Sequence, residues 1–254
     1  MDSRLAQVYC SAIVLVYLLC SMPFRFIIAQ TLLYALLLLC MPALMAQQKL
    51  MFVHRYGVSA LEPENKYYPL HQTDSIRIDL LRYYISGIEL RQNDTLVYCE
   101  ANSYHLIDAA DTASGNLTLP TPSGLRYNRI QFNLGIDSLT NVSGAMGGDL
   151  DPTRGMYWTW QSGYINFKLE GRSNLCRTRK SEFQFHLGGY MPPYASLQTI
   201  SLQTHPLNPL RIVVDIEQLL KAVELSMQNH IMSPGPEAVK LSRQAALVFS
   251  TPLL

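Results

Sequence analysis

The fold prediction rests on residues 156–171, which read Met-Tyr-Trp-Thr-Trp-Gln-Ser-Gly-Tyr-Ile-Asn-Phe-Lys-Leu-Glu-Gly. This stretch contains both tryptophans of the protein, and Phe-Gln-Phe-His-Leu-Gly-Gly follows at residues 183–189. Because side chains alternate between the faces of a strand, we expect Trp158 and Trp160 to share one face. Two indoles near an imidazole form either packed core or the starting material of a redox and metal site.

Outward from this stretch, the chain from Lys49 to about Val214 is a series of short alternating runs separated by Gly, Pro, Asn and Asp. The alternation is clearest at residues 75–80, 82–90, 129–135, 164–169, 183–187 and 209–214. Runs of this kind without helices between them predict an all-β protein, an antiparallel, immunoglobulin-like β-sandwich.

The C-terminal part changes to a helical period. Apolar residues from Ile216 to Met227 recur at helical spacing, and Asp215 is a suitable N-cap. A second helix is predicted to start at Ser233-Pro234 and to include Phe249 on its apolar side. We therefore expect one or two C-terminal α-helices that cover one end or face of the sandwich.

The N-terminal 46 residues read as an upstream extension followed by a secretory signal peptide. Arg25 precedes a strongly apolar run that closes on small residues at Ala46, where we expect cleavage. Met22 is the expected true start, although a two-helix membrane hairpin is the alternative; the first apolar run is too short to span a bilayer. The mature domain, residues 47–254, is thus predicted to lack a stable membrane span and to be exported to the periplasm or cell surface.

Composition and absent motifs exclude several classes of function. The chain has 254 residues, of which 15% are charged, and a formal net charge of +1, so it has no broad basic field for nucleic acid. No G-x-S-x-G, C-x-x-C, H-E-x-x-H or phosphate-binding loop occurs. Asp149 and Asp151 indicate either a fragment of a structural calcium site or a simple turn before Pro152. Cys99 and Cys176, the cysteines left after cleavage, either pair or stay as separate buried thiols.

Several blocks of this sequence resemble one family. Residues 156–171 followed by Phe185-His186-Leu187-Gly188-Gly189, together with residues 82–86, 103–108 and 232–235, are similar to the methanobactin-associated copper-binding proteins, the MbnP-like family, in their Bacteroidetes-type members. The resemblance covers roughly residues 49–250. The W-x-W-Q-S-G-Y block is long and unusual, so it is the specific part of the match.

The resemblance implies an exported β-sandwich that binds copper and is not itself an enzyme. In studied relatives one tryptophan is oxidised to kynurenine by a partner di-haem enzyme of the cytochrome-c-peroxidase/MauG type, and kynurenine and histidines then hold Cu(I). An outer-membrane receptor is a further candidate partner. Studied members are also richer in cysteine than this chain, which puts their disulfide framework in doubt here.

The chemistry of the side chains agrees with that implication. An indole nitrogen has no free lone pair, whereas ring opening gives an aniline nitrogen and a carbonyl oxygen; imidazole suits copper well. The predicted metal-site residues are His54 and His186 first, then His105, with Trp158 and Trp160 both open as the modified residue. The histidines His71, His205 and His230 are expected to be exposed.

Two other functions fit the same residues. An exported glycan- or peptide-binding module would use Tyr157, Trp158, Trp160 and Tyr164 as a stacking platform, with exposed, coplanar rings and no histidine nearby. A structural or interaction protein would bury the tryptophans as core, because aromatic rings in sandwiches are mostly packed inside.

Overall fold

The computed structural model describes residues 45–70, 73–161 and 163–252, and the part from Ala46 onward forms one compact unit. The predicted signal peptide therefore lies outside the described residues up to position 44, whereas the expected cleavage point at Ala46 falls within the first described strand. In chain order the strands are β1 (Met45–Tyr56), β2 (Ser59–Ala60), β3 (Tyr67–Pro69), β4 (Ser75–Gln92), β5 (Thr95–Cys99), β6 (Tyr104–Asp108), β7 (Asn116–Pro122), β8 (Arg129–Leu134), β9 (Tyr157–Trp158), β10 (Gly163–Ser173), β11 (Glu182–Gly188), β12 (Gln198–Gln203), β13 (Leu210–Asp215), β14 (His230–Ile231) and β15 (Phe249–Ser250).

Over these ranges the strands form two sheets. The smaller sheet has the order β15-β13-β1-β2, with β7 also paired to β1. The larger has the order β12-β8-β4-β10-β11-β14, while β3, β5 and β6 also pair with β4, and β9 with β10. Most pairs are antiparallel, but β1 runs parallel to β13 and β11 parallel to β14. The predicted all-β, sandwich-like fold is confirmed, with two parallel pairings that the sequence pattern did not indicate.

The central strand β4 separates two apolar clusters. Tyr83 faces the main core between the sheets, where Phe52, Phe167 and Phe249 surround its ring. Its neighbour Tyr84 belongs to a second cluster. Successive residues of a strand point to opposite faces, so the second cluster lies on the outer face of the larger sheet. The candidate site is built on this outer face.

Three α-helices occur in the described part of the chain: α1 (Ser138–Val142), α2 (Ile216–Lys221) and α3 (Pro236–Ala246). The last two confirm the predicted C-terminal helices, and Asp215 caps α2 by accepting from the backbone N–H of Glu217. The predicted bounds were wrong at both helices. The first ends at Lys221 and leaves Met227 exposed, and the second begins at Pro236, because proline fits the first helical position and Gly235 supplies the cap.

Three further predictions concern the cysteines, Phe249 and the membrane. Cys99 is exposed, Cys176 is buried, and both are free thiols, so the disulfide alternative is wrong for this structure. Phe249, expected on a helix, lies in β15 and packs against Tyr83. Among the helices that the structure describes, none combines the length and apolarity needed to cross a bilayer.

Candidate functional site

Trp158 and Trp160 occupy different environments. Trp158 ends the two-residue strand β9, is 6% exposed and packs with Tyr84, Met156 and Tyr164. Trp160 is 65% exposed, and the ring centroids of the two tryptophans lie 5.7 Å apart at an interplanar angle of 44°. The predicted shared strand face is wrong, because the chain turns after Trp158 and the N–H of Gln161 donates back to its carbonyl. The pair therefore has one buried and one accessible ring in contact.

A glycine makes room for the buried tryptophan. A Cβ atom placed on Gly188 would lie 2.6 Å from Cζ3 of Trp158 and 2.7 Å from the carbonyl oxygen of Tyr164. The six-membered ring of Trp158 therefore rests directly on the backbone of β11. His186 lies two residues earlier on the same face of that strand, about 7 Å away along it. Of the predicted metal-site residues, Trp158 and Trp160 are in ring contact, and His186 lies on the strand face on which the Trp158 ring rests.

His186 is held by a carboxylate. It is 6% exposed, and its Nε2 lies 2.6 Å from Oε1 of Glu170, whose other neighbour is the ammonium of Lys168 at 3.6 Å. The hydrogen bond from His186 is the main cause that lowers the pKa of Glu170. An ionised carboxylate can only accept, so Nε2–H donates, and a neutral imidazole then keeps its lone pair on Nδ1. Carboxylate–histidine pairs of this kind commonly orient a metal-binding imidazole.

His54 lies between the sheets, away from the tryptophans. Its Nε2 is 2.9 Å from the hydroxyl of Tyr83, which faces the main core, whereas Trp158 packs on the opposite face of the larger sheet. Burial lowers the pKa of His54 to about 4, against an attraction from Asp108 that acts in the other direction. His54 is therefore neutral at ordinary pH and serves as a hydrogen-bonded core residue.

This burial predicts a pH-dependent stability. The usual pKa of 6.5 applies in the unfolded chain and about 4 in the folded one, so between these values only the unfolded chain takes up the proton. The free energy of unfolding should thus fall by roughly 3 kcal/mol from pH 7 to pH 4 on account of His54. Urea unfolding at several pH values tests this. His54→Gln should show a shallower decline, and an identical decline in both proteins would contradict the assignment.

His105 lies in a third environment, apart from those of His186 and His54. Its Nε2 is 2.8 Å from Oε2 of Glu100, and it alternates on β6 with Leu106, which packs in the Trp158 cluster. His105 therefore points to the other face of the sheet. Within residues 45–70, 73–161 and 163–252, no group of three or more His, Cys, Asp or Glu side chains could hold a metal ion. His205 and His230 are exposed as predicted, and His71 lies outside the described residues.

Asp149 and Asp151 have roles in local backbone structure. The Asp149 carboxylate accepts from the backbone N–H of Leu106 at 3.0 Å, and Asp151 accepts from the N–H of Thr153 at 2.8 Å. Asp151 thereby caps the short 3-10 helix Pro152–Arg154. These contacts match the turn that the sequence predicts before Pro152, and each carboxylate makes its own hydrogen bond to the backbone.

The stacking-platform alternative is not supported by the aromatic geometry. Trp158 and Tyr164 are buried, and Tyr157 meets Tyr164 edge to face, with ring centroids 4.9 Å apart. Only Trp160 of the four rings is largely exposed, and it is tilted against Trp158. A sugar or peptide would therefore find one accessible ring and no coplanar surface.

Sequence reasoning missed Glu170 and Gly188. Glu170 alternates with apolar residues on β10, and that alternation places it on the outer face; only the pairing of Lys168 with His186 brings it to the imidazole. A glycine after an apolar run, such as Gly188, can indicate that another group packs closely against the strand. The ring that packs there belongs to Trp158, thirty residues earlier in the sequence. Both contacts depend on the register between strands, which the sequence pattern of a single strand does not give.

Comparisons with known proteins agree with this architecture. The family model described as MbnP matches residues 45–233. The solved structure of MbnP from Methylosinus trichosporium superposes with a TM-score of 0.52 at 17% sequence identity, over 77% of this chain and 87% of that chain, and so shows the same fold. A search of curated proteins gives no significant match. Since the family model covers most of the domain that the structure describes, the chain belongs to the MbnP family.

Proposed function

We propose that this chain is an exported, methanobactin-associated copper-binding protein in which His186 and a kynurenine formed from Trp158 hold Cu(I). The observation that carries the proposal is the position of the Trp158 ring on Gly188, two residues from a carboxylate-held His186. Membership of the MbnP family supports it. In this proposal the protein performs no catalysis of its own.

In this proposal, Trp158 contributes ligands for copper only after its conversion to kynurenine. With the indole intact, Nδ1 of His186 can offer a lone pair to a metal ion, whereas the indole nitrogen of Trp158 cannot, because it does not accept. Two equivalents of peroxide, used by the haem partner, would supply the four-electron oxidation: the C2–C3 bond of the indole breaks, each carbon gains an oxygen atom, and two molecules of water form. Hydrolysis of the resulting formyl group then releases C2 as formate. The remaining aniline nitrogen and ketone oxygen are usable ligands. Together with an imidazole they suit copper, which accepts low coordination numbers as Cu(I).

The surroundings select Trp158 over Trp160 as the modified residue. Trp158 is buried beside His186, whereas Trp160 points outward and only its contact with Trp158 links it to the site. Trp160, in ring contact with Trp158, is placed to pass oxidising equivalents inward from a di-haem, peroxidase-like partner.

A mass measurement tests the choice of residue. Protein purified from its native host should be heavier by about 4 Da than the unmodified chain, since kynurenine replaces tryptophan. Fragmentation of the peptide should locate the added mass at Trp158 and leave Trp160 unchanged. Trp160→Phe should retain the modification at lower yield, and Trp158→Phe should lose it. Added mass on Trp160, or an unmodified protein from cells that express the partner enzyme, would contradict the proposal.

A further inference from the structure

A methionine lies beside His186 on the neighbouring strand. The two-residue strand β14 runs parallel to β11, with Ile231 opposite Phe185. One residue further along both strands, the same register places Met232 opposite His186. Adjacent strands lie roughly 5 Å apart, so the thioether side chain and the imidazole start from neighbouring backbone positions.

The backbone after β14 keeps Met232 at this position. The strand itself ends at Ile231, but a Cβ atom placed on Gly189, directly after β11, would lie 2.9 Å from Cβ of Pro234. The chain therefore contacts β11 or its continuation on both sides of Met232, through the strand pairing before it and through the proline after it. Met232 cannot move far from His186 without breaking one of these contacts.

Both side chains belong to the outer face of the larger sheet. Ile231 and Phe185 are part of the main core between the sheets. Because successive residues of a strand point to opposite faces, Met232 and His186 turn outward. The Trp158 ring rests on the same face of β11. An indole, an imidazole and a thioether are thus neighbours on two adjacent strands.

Apolar packing does not account for this methionine. Met232 is half-buried, yet it is part of neither of the two apolar clusters that the described residues form. Met156, by contrast, is fully buried in the Trp158 cluster, where it fills the core. Methionine is flexible and its sulfur is polarizable. A thioether outside both cores and next to an imidazole is therefore available to a metal ion.

The hydrogen bond to Glu170 leaves the imidazole one nitrogen for a metal. Glu170 holds Nε2 of His186 from β10, and β10 and β14 flank β11 on opposite sides. Nδ1 of the neutral ring keeps its lone pair. An imidazole nitrogen with a thioether sulfur suits Cu(I), because soft thioether ligands select Cu(I) whereas carboxylate and carbonyl oxygens suit harder ions. Unlike cysteine, methionine needs no deprotonation to bind a metal and forms no disulfide in an oxidising compartment.

We infer that Met232 and His186 form a nitrogen–sulfur site that binds Cu(I) while Trp158 is still an intact tryptophan. The inference rests on the proposed function for the role of His186, but it requires no kynurenine. It adds a soft ligand to the site and gives the unmodified protein a way to hold copper before the opened indole supplies further donors. The Glu170 carboxylate, 2.6 Å from Nε2 of His186, offsets the single positive charge of the ion.

Copper loading of a chain with intact indoles tests this site. The chain is exported by a host that lacks the haem partner, purified after signal cleavage, and carries Cys99→Ser because that exposed thiol would itself bind Cu(I). Intact mass first confirms that both tryptophans are unmodified. With Cu(I) alone added under anaerobic conditions, X-ray absorption fine structure should show sulfur as well as nitrogen bound to the metal.

Met232→Leu is the decisive variant, because it removes the sulfur and nearly conserves the side-chain volume. It should lose the sulfur signal and bind Cu(I) at least about tenfold more weakly, with an unchanged thermal unfolding temperature. Met227→Leu is the matched control, since Met227 is 80% exposed and precedes β14. It should behave as the unsubstituted chain. No Cu(I) binding by that chain, a metal without sulfur, a sulfur signal that persists in Met232→Leu, or an equal loss in Met227→Leu would overturn the inference.

Two outcomes separate this inference from the proposed function. If protein from the native host carries no kynurenine while the intact chain binds Cu(I) through Met232, the maturation of Trp158 fails and the nitrogen–sulfur site stands. If kynurenine is present and the matured protein binds Cu(I), but Met232→Leu binds the ion as tightly as the wild type before and after maturation, the nitrogen–sulfur site is wrong and the proposed function stands.

Discussion

Replacement of His186 by alanine is expected to weaken Cu(I) binding to the matured protein by about 100-fold or more. Among the described histidines, His186 is the one on the strand face that carries the Trp158 ring, so its removal takes away the imidazole ligand of the proposed site. Even loss of the outer partner of a ligand typically costs 10–100-fold. The measurement is a competition titration with a chromophoric Cu(I) chelator, on protein from the native host. Glu170→Gln should give an intermediate loss, because the amide holds the ring with a weaker hydrogen bond.

His105→Ala is the matched control for that experiment. His105 also bonds a carboxylate, Glu100, through Nε2, but it points to the other face of the sheet. Its alanine variant should bind Cu(I) as tightly as the wild type, and so should His54→Gln. Equal binding by His186→Ala and the wild type would remove His186 from the site. A loss in His105→Ala as large as that in His186→Ala would show that the site lies elsewhere.

The second large effect is expected from Gly188→Ala. The added methyl group would meet the Trp158 ring at 2.6 Å and the Tyr164 carbonyl at 2.7 Å, and neither backbone nor a packed indole can give way without cost. Overpacking of this severity should lower the free energy of unfolding by about 2 kcal/mol or more and move Trp158 out of its place. Urea unfolding measures the first effect, and tryptophan fluorescence with the kynurenine fraction measures the second.

Gly147→Ala supplies the comparison. No heavy atom lies within 4 Å of a Cβ placed there, and its φ of −96° suits any residue. Its unfolding free energy and modification should match the wild type. Wild-type stability in Gly188→Ala would show that the indole does not rest on the strand as described. Normal stability together with an unmodified Trp158 would show that the modification depends on the position of the ring and not on the packing of the core.

The sequence predicted the elements of the fold better than their arrangement. Alternation located most strands, because burial of one face imposes a period of two on each strand independently. However, alternation predicted two runs, 75–80 and 82–90, where the structure has the single strand β4 from Ser75 to Gln92. The parallel pairing of β1 with β13 places Leu50 beside Leu210. The local sequence pattern of a strand does not indicate a pairing partner so far away in the sequence.

The site was predictable in composition and not in geometry. The motif identified Trp158, Trp160 and His186. The shared face of the tryptophans failed because the period-two argument assumes that a strand continues, and β9 ends at Trp158. His54 was assigned to the same site as His186 because one strand's pattern does not say which face of the neighbouring sheet it meets.

The parallel pair of β1 and β13 has a kinetic consequence. Residues 50–55 hydrogen-bond with residues 210–215, so the first strand of the domain waits for one of the last before the smaller sheet can form. Closing so long a loop makes folding slow and leaves apolar strands unpaired during synthesis. A nascent chain of this type stays open until nearly complete, which is the condition that a polypeptide threaded through a narrow translocation channel must meet.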